Sequence, residues 1–289
     1  MTAGFGFGAR LRAALDAYGP LCVGIDPHVS LLEEWGLDAS ASGTREFGLH
    51  VVEAAAGRVG FVKPQVAFFE RFGSAGFAAL EDVLRAARAA GLVVIADAKR
   101  GDIGSTMDGY AAAWLAEGAP LEADAVTLSP YLGPDSLRDT LTFAVRAGKG
   151  AFVLAATSNP EAFALQSART VDVAATDDQS VAERVARDVG WINGSAAFSG
   201  SLGPIGLVVG ATVDRSAVGL SDEALTGAPL LVPGFGAQGA SPSEIMALFG
   251  ALTPNVVASE SRSILSAGPA GLVARIAEHA ALYAEAIDG

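Results

Sequence analysis

Short apolar runs alternate with Ala-rich amphipathic stretches along the whole chain, and this alternation restricts the fold more than any other feature. The apolar runs are Leu21–Asp26, Gly60–Gln65, Leu92–Asp97, Ala123–Leu128, Ala151–Ala156, Ile205–Val209, Pro229–Val232 and Asn255–Ala258. Near-continuous apolar runs of this length suit strands of a parallel sheet covered on both faces by helices. The intervening stretches Arg45–Ala56, Gly76–Ala90, Ser105–Glu117, Ser136–Ala147, Ser180–Asn193, Pro242–Leu252 and Pro269–Ala286 repeat apolar residues at helical spacing, so each is able to cover one outer face. Eight strands is the number a closed (β/α)8 TIM barrel requires, and 289 residues fit one such domain over residues 1–289. An open doubly wound sheet alternates in the same way but usually shows its glycine fingerprint in the first strand-to-helix turn. Here that turn reads Gly24-Ile25-Asp26-Pro27-His28-Val29-Ser30. The informative glycines follow the seventh run instead, in Val232-Pro233-Gly234-Phe235-Gly236-Ala237-Gln238-Gly239, where barrels often bind phosphate.

Charge and cysteine usage exclude several functions. A net charge of −13, with 19 Lys and Arg against 32 Asp and Glu, argues against nucleic-acid binding, which needs a clustered surplus of cations. No apolar run approaches the ~20 residues that span a bilayer. The N-terminal stretch through Gly19 reads as a short amphipathic helix and not as a signal peptide, so a cytoplasmic protein without a membrane partner is expected. The single cysteine, Cys22, rules out an internal disulfide and any multi-cysteine metal site; its apolar setting suits an inert core thiol.

Against so few cations, lysines embedded in apolar strand ends are informative. Polar residues recur at the carboxyl ends of the runs: Asp26, Lys63 with Gln65, Asp97 with Lys99, Thr127 with Ser129, Thr157 with Ser158, and Arg262 after the eighth. In a barrel these ends open onto the face where catalytic residues gather, although any one of them could equally cap a strand or form a turn. The densest group is Ile95-Ala96-Asp97-Ala98-Lys99-Arg100-Gly101-Asp102-Ile103-Gly104-Ser105-Thr106. In extended backbone, Asp97 and Lys99 project to one side and can touch, while Asp102 follows on the loop. Taken alone, this is either a structural ion pair or a site built on opposed charges.

The segment Asp97-x-Lys99-x-x-Asp102-Ile103 resembles the signature of orotidine 5′-phosphate decarboxylases, and Ala96 to Thr106 looks most like the mycobacterial-type branch. Gly24-Ile25-Asp26-Pro27, Val62-Lys63-Pro64-Gln65, Pro233 to Gln238 and Ser261-Arg262-Ser263-Ile264 match in order, so the resemblance runs from about residue 20 to residue 285. It implies decarboxylation of orotidine 5′-monophosphate (OMP) to UMP and CO2, in pyrimidine biosynthesis, with no metal or organic cofactor. By the same resemblance, Lys63, Asp97, Lys99 and Asp102 form the catalytic network, with Lys99 the proton donor. Asp26 and Lys63 would bind ribose hydroxyls, and Ser158 the pyrimidine edge. Gln238 and Arg262 would grip phosphate, with Pro233, Gly236 and Ser261 lining that end. The family is usually dimeric, and Asp102, Ile103 and Thr106 are expected to cross into the neighbour's site.

Two departures stand out. The family's last motif usually has glycine before the arginine, where this chain has Ser261, and Gln166–Gln179 is longer than compact members need, as a surface insertion would be. His28, His50 and His279 are scattered and are expected to be surface or structural. Two rival readings are a ribulose-phosphate-type aldolase or isomerase barrel, which shares the Asp-x-Lys pattern but normally employs Mg2+, and a non-catalytic nucleotide-binding barrel. Such a sensor would be expected to lose a charged partner, and none is missing.

Overall fold

Parallel pairing passes from each strand to the next, and the eighth pairs with the first, so the sheet closes into a barrel. The structure, a computed structural model, describes residues 6–171, 178–195 and 202–289. Its strands are β1 (Leu21–Ile25), β2 (Phe61–Pro64), β3 (Val93–Arg100), β4 (Ala125–Leu128), β5 (Gly150–Ala156), β6 (Ile205–Val209), β7 (Leu230–Pro233) and β8 (Val256–Glu260). All eight expected strands are present. β3 alone runs well past its expected end, because it resumes pairing with β4 at Arg100 after an irregularity.

Alternate residues of these strands divide two apolar layers. Val62, Val94, Ala96, Val126 and Ala258 face outward into the layer shared with the helices. Cys22, Phe61, Ile95, Ala125, Phe152 and Val257 face inward, and the helix Phe7–Tyr18 closes the bottom of the barrel over them. Its Phe7 ring meets Phe152 edge-on at 6.2 Å. A β-carbon on Gly150 would collide with that same ring, so the close approach requires glycine there. Burial pushes the Cys22 thiol up to about 12, which suits the inert core thiol expected of it.

The outer helices follow the expected pattern with local differences. The stretch expected as one helix over Pro242–Leu252 breaks into a 3-10 turn at Pro242–Glu244, an α-helix over Ile245–Phe249 and a further 3-10 segment from Gly250, whose φ of +49° ends the α-helix. Among the described residues, no helix is long and apolar enough to cross a membrane. Of the stretch Gln166–Gln179, residues 172–177 lie outside the described residues. Its flanks pair in antiparallel fashion, with the Thr170 amide donating to Gln179 O at 2.8 Å.

Candidate active site

The inward-facing rows continue past the apolar interior and become polar near the carboxyl ends of the strands. Two residues beyond Phe61, Ile95, Ala125 and Val257 stand Lys63, Asp97, Thr127 and Ser259; one step further stand Gln65 and Ser261. A cavity of about 650 Å³ opens there, with Leu154, Val208 and Leu231 contributing apolar surface. Asp26, Lys63, Asp97, Lys99 and Ser158 line it, and so do Pro233, Gln238, Ser261 and Arg262. Barrel closure thus gathers nine expected site residues from six strand ends into one space.

Within this lining, Asp97 holds two ammonium groups. Lys63 Nζ lies 2.8 Å from Oδ2, and Lys99 Nζ lies 2.6 Å from Oδ1. The Thr127 hydroxyl also donates to Oδ1 at 2.9 Å, and the Gln65 side-chain amide donates to the Asp97 carbonyl at 3.4 Å. Lys63 and Asp97 are almost wholly buried, whereas the Lys99 side chain is 46% exposed toward the cavity mouth. Burial by itself would raise the Asp97 pKa, but the charges of Lys63 and Lys99 outweigh it and hold the carboxyl well below the usual carboxylate range. Burial likewise works to lower the Lys63 pKa, and the charges of Asp97 and Asp26 overcome it and leave the value raised.

Asp97 and Lys99 meet as expected, but not across a regular strand. Three residues of β3, Asp97 to Lys99, oppose the single residue Thr127 of β4. Lys99 adopts φ +47°, the only positive φ among described residues other than glycine. Its amide therefore donates to Thr127 Oγ1, at 2.9 Å, in place of a ladder carbonyl. Such backbone costs of order 1–3 kcal/mol and persists only where its surroundings hold it. Thr127, one of the polar residues at the carboxyl ends of the apolar runs, is thereby a site residue for which the motifs imply no role.

The far end of the cavity is a pair of loops. Gln238 and Arg262 are exposed at its rim, on the loops after β7 and β8. Ser261 Oγ on the loop after β8, and Asp26 Oδ1 at the end of β1 beside Lys63, are buried without a protein hydrogen-bond partner, and buried polar atoms normally have one, so both are available to a ligand. Ser261 fits in place of the usual glycine because Gly24 faces it: a β-carbon on Gly24 would come within 2.8 Å of the Ser261 β-carbon.

Several expected residues stand elsewhere. Gly236 is not in the cavity lining, and its amide donates to Ala240 O at 2.8 Å. With φ +67°, it packs where a β-carbon would collide with Glu260 Oε2 and Ser263 Oγ. Asp102, Ile103 and Thr106 also lie outside the lining. Asp102 accepts from the Ile103 amide at 2.8 Å and makes no ion pair among the described residues, while Ile103 is 62% exposed.

Beside Ser158, the Thr157 hydroxyl donates to Asn159 at 2.8 Å and accepts from Gln166 at 3.0 Å, whose Oε1 also takes the Thr157 amide. Gln166, the first residue of the unassigned stretch, thus caps β5. His28 lines the cavity and packs on Phe68, while His50 packs near Trp35 and His279 bonds to Glu260. The scattered histidines therefore include one at the site mouth. Among the described residues, no group of three or more His, Cys, Asp or Glu side chains is placed to hold a metal ion.

This arrangement is suited to carbanion chemistry. Alternating charges beside apolar surface act with little dielectric screening, and an ammonium at the mouth can both stabilise negative charge on carbon and deliver a proton to it.

The family model described as orotidine 5′-phosphate decarboxylase / HUMPS matches residues 19–269. Curated proteins called orotidine 5′-phosphate decarboxylase from Salinispora tropica and Streptomyces coelicolor are both 50% identical to this chain, over 263 and 264 residues, or 91% of this chain and 91% of theirs. A crystal structure of a candidate orotidine 5′-phosphate decarboxylase from Streptomyces avermitilis has a TM-score of 0.89 and 46% identity, covering 99% of this chain and 97% of its own. Matched over most of its length by the family model and by these relatives, the chain belongs to the orotidine 5′-phosphate decarboxylase / HUMPS family.

Proposed function

We propose that this chain, acting as one barrel domain over residues 1–289, decarboxylates OMP to UMP and CO2 as a carboxy-lyase of pyrimidine biosynthesis. The observation that carries this reading is the Lys63–Asp97–Lys99 ion chain at one end of a cavity whose other end presents Gln238 and Arg262. Two relatives that are 50% identical over 91% of their length bear that name.

Cleavage at C6 of the orotate ring leaves an electron pair in the ring plane, outside the π system, so its stabilisation has to come from fixed charge. Asp97 stands beside the substrate carboxylate and disfavours two adjacent anions until CO2 leaves. Lys99 stabilises the carbanion and then protonates C6. Lys63 keeps Asp97 ionised, and with Asp26 it binds the ribose hydroxyls. Because Thr157 is engaged by Asn159 and Gln166, Ser158 is the hydroxyl left for the pyrimidine edge. Arg262 offers a planar fork for phosphate oxygens, alongside Gln238.

The working unit in this reading is a cytoplasmic homodimer in which Asp102, with Ile103 and Thr106, enters the neighbouring site. The exposure of Ile103 and the position of Asp102 outside the cavity lining of its own subunit support it. The test is loss of the OMP ultraviolet absorption after adding EDTA-treated protein. Steady decay to UMP is expected; intact OMP, or decay only after Mg2+ is restored, would remove the proposal.

A further inference from the structure

The last residue of β8 carries a carboxylate that the proposed chemistry does not use. Alternation turns Glu260 outward, on the side of Val256 and Ala258, and leaves it 1% exposed. Ser263 Oγ donates to Oε2 at 2.6 Å, and the Tyr283 hydroxyl donates to Oε1 at 2.9 Å. His279 Nδ1 lies 3.0 Å from Oε2 and donates when that nitrogen carries the proton. Burial works to raise the Glu260 pKa, yet the hydrogen bonds from His279 and Ser263 prevail and leave it lowered, so the group is a buried anion.

Its partners tie two loops to one helix. Ser263 follows Arg262 directly, and its carbonyl accepts from Arg275 at 3.0 Å. Arg275, His279 and Tyr283 all belong to the helix Gly268–Asp288. On the other loop, Gly236 rests against Glu260 and Ser263, and the Phe235 ring meets Tyr283 edge-on at 5.6 Å. The loops that carry Gln238 and Arg262 therefore share a single buried support.

We propose that Glu260 is a positioning residue for the phosphate end of the site: it holds the loops after β7 and β8 in the mutual geometry that lets Gln238 and Arg262 engage one phosphate. The proposal rests on reading the cavity as an OMP site. Glu260 is turned away from the reacting carbon, so its effect runs through the remote group alone, whose binding energy serves turnover only when its contacts are held in place. A glutamine at 260 satisfies the same partners, because its amide oxygen accepts from Tyr283 while its NH2 faces Ser263 Oγ and the other tautomer of His279.

The test compares kcat/KM for OMP with kcat/KM for orotidine, the nucleoside without phosphate, measured with excess enzyme. Glu260→Ala should lower the OMP value by about tenfold or more, mostly through KM, and the orotidine value by less than about threefold. Glu260→Gln should remain within about threefold of the wild type on both compounds. Ser263→Ala, which keeps the carboxylate and its other two partners, should show a smaller loss with the same selectivity for OMP, and it decides the matter if Glu260→Ala does not fold. Equal losses on both compounds, or unchanged kinetics, would overturn the proposal. An inactive wild type would instead overturn the decarboxylase reading and this inference with it.

Discussion

Lys99 Nζ lies 2.6 Å from Asp97 Oδ1 across a bulge in β3, and Lys99 reaches that position with a left-handed backbone. The pair is therefore held by tertiary context as well as by its spacing in the chain. Lys99→Ala should reduce kcat on OMP by roughly a thousandfold or more while UMP still binds, because it removes the proton donor and leaves the phosphate end intact. Single-turnover absorbance and calorimetric titration with UMP check this together; near-normal turnover would make Lys99 structural.

Thr127 connects both halves of that pair, donating to Asp97 and accepting from the Lys99 amide. Thr127→Val keeps the side-chain shape and removes both bonds. It should lower kcat about tenfold and cost roughly 1–3 kcal/mol of stability, as expected when a buried hydrogen bond loses one partner. Steady-state kinetics and urea denaturation measure the two effects, and a variant unchanged in both would show that the bulge holds itself.

Arg262→Ala should raise KM for OMP by about tenfold to a hundredfold and lower kcat less, since a charge-assisted contact to phosphate is lost far from the bond that breaks. Unchanged kinetics in this variant would place the phosphate elsewhere.

Acid should affect stability through Asp97 in a definite direction. A carboxyl with a depressed folded pKa contributes stability that is fully present above its unfolded value, about 3.9, and is lost as pH falls below it toward the folded value. Asp97→Asn removes the counter-ion that Lys63 and Lys99 share and should be the less stable protein near pH 7. The gap between wild type and variant should then narrow as pH falls below about 4, because only the wild type has this carboxylate to protonate. Parallel stability curves between pH 7 and pH 3 would contradict the depressed value.

If Asp102 serves the partner's site, inactive Lys99→Ala and Asp102→Ala proteins should regain activity when their subunits exchange. A mixed dimer holds one doubly defective site and one intact site. Random exchange makes about half the dimers mixed, so roughly a quarter of wild-type site activity should return, as a shared two-fold interface requires. Mixed dimers verified by mass and still inactive would confine Asp102 to its own subunit.

The strand order, the closed barrel and the polar rim at the carboxyl ends were legible in the sequence because they follow from local periodicity. Inward and outward residues alternate every two positions, so an apolar run that ends in Lys63 or Asp97 announces its own top. Beyond the Asp97–Lys99 pair, only the tertiary structure decided which rim residues touch. The irregularity between β3 and β4 made Thr127 part of the ion chain, Gln166 engaged the Thr157 hydroxyl beside Ser158, and Gly236 became a packing contact. Glu260 lies two residues beyond the expected end of the eighth run, and its partner His279 is nineteen residues away on another element. Contacts of this kind depend on register and barrel closure, which bring distant residues within hydrogen-bond reach, and no spacing along the chain encodes them.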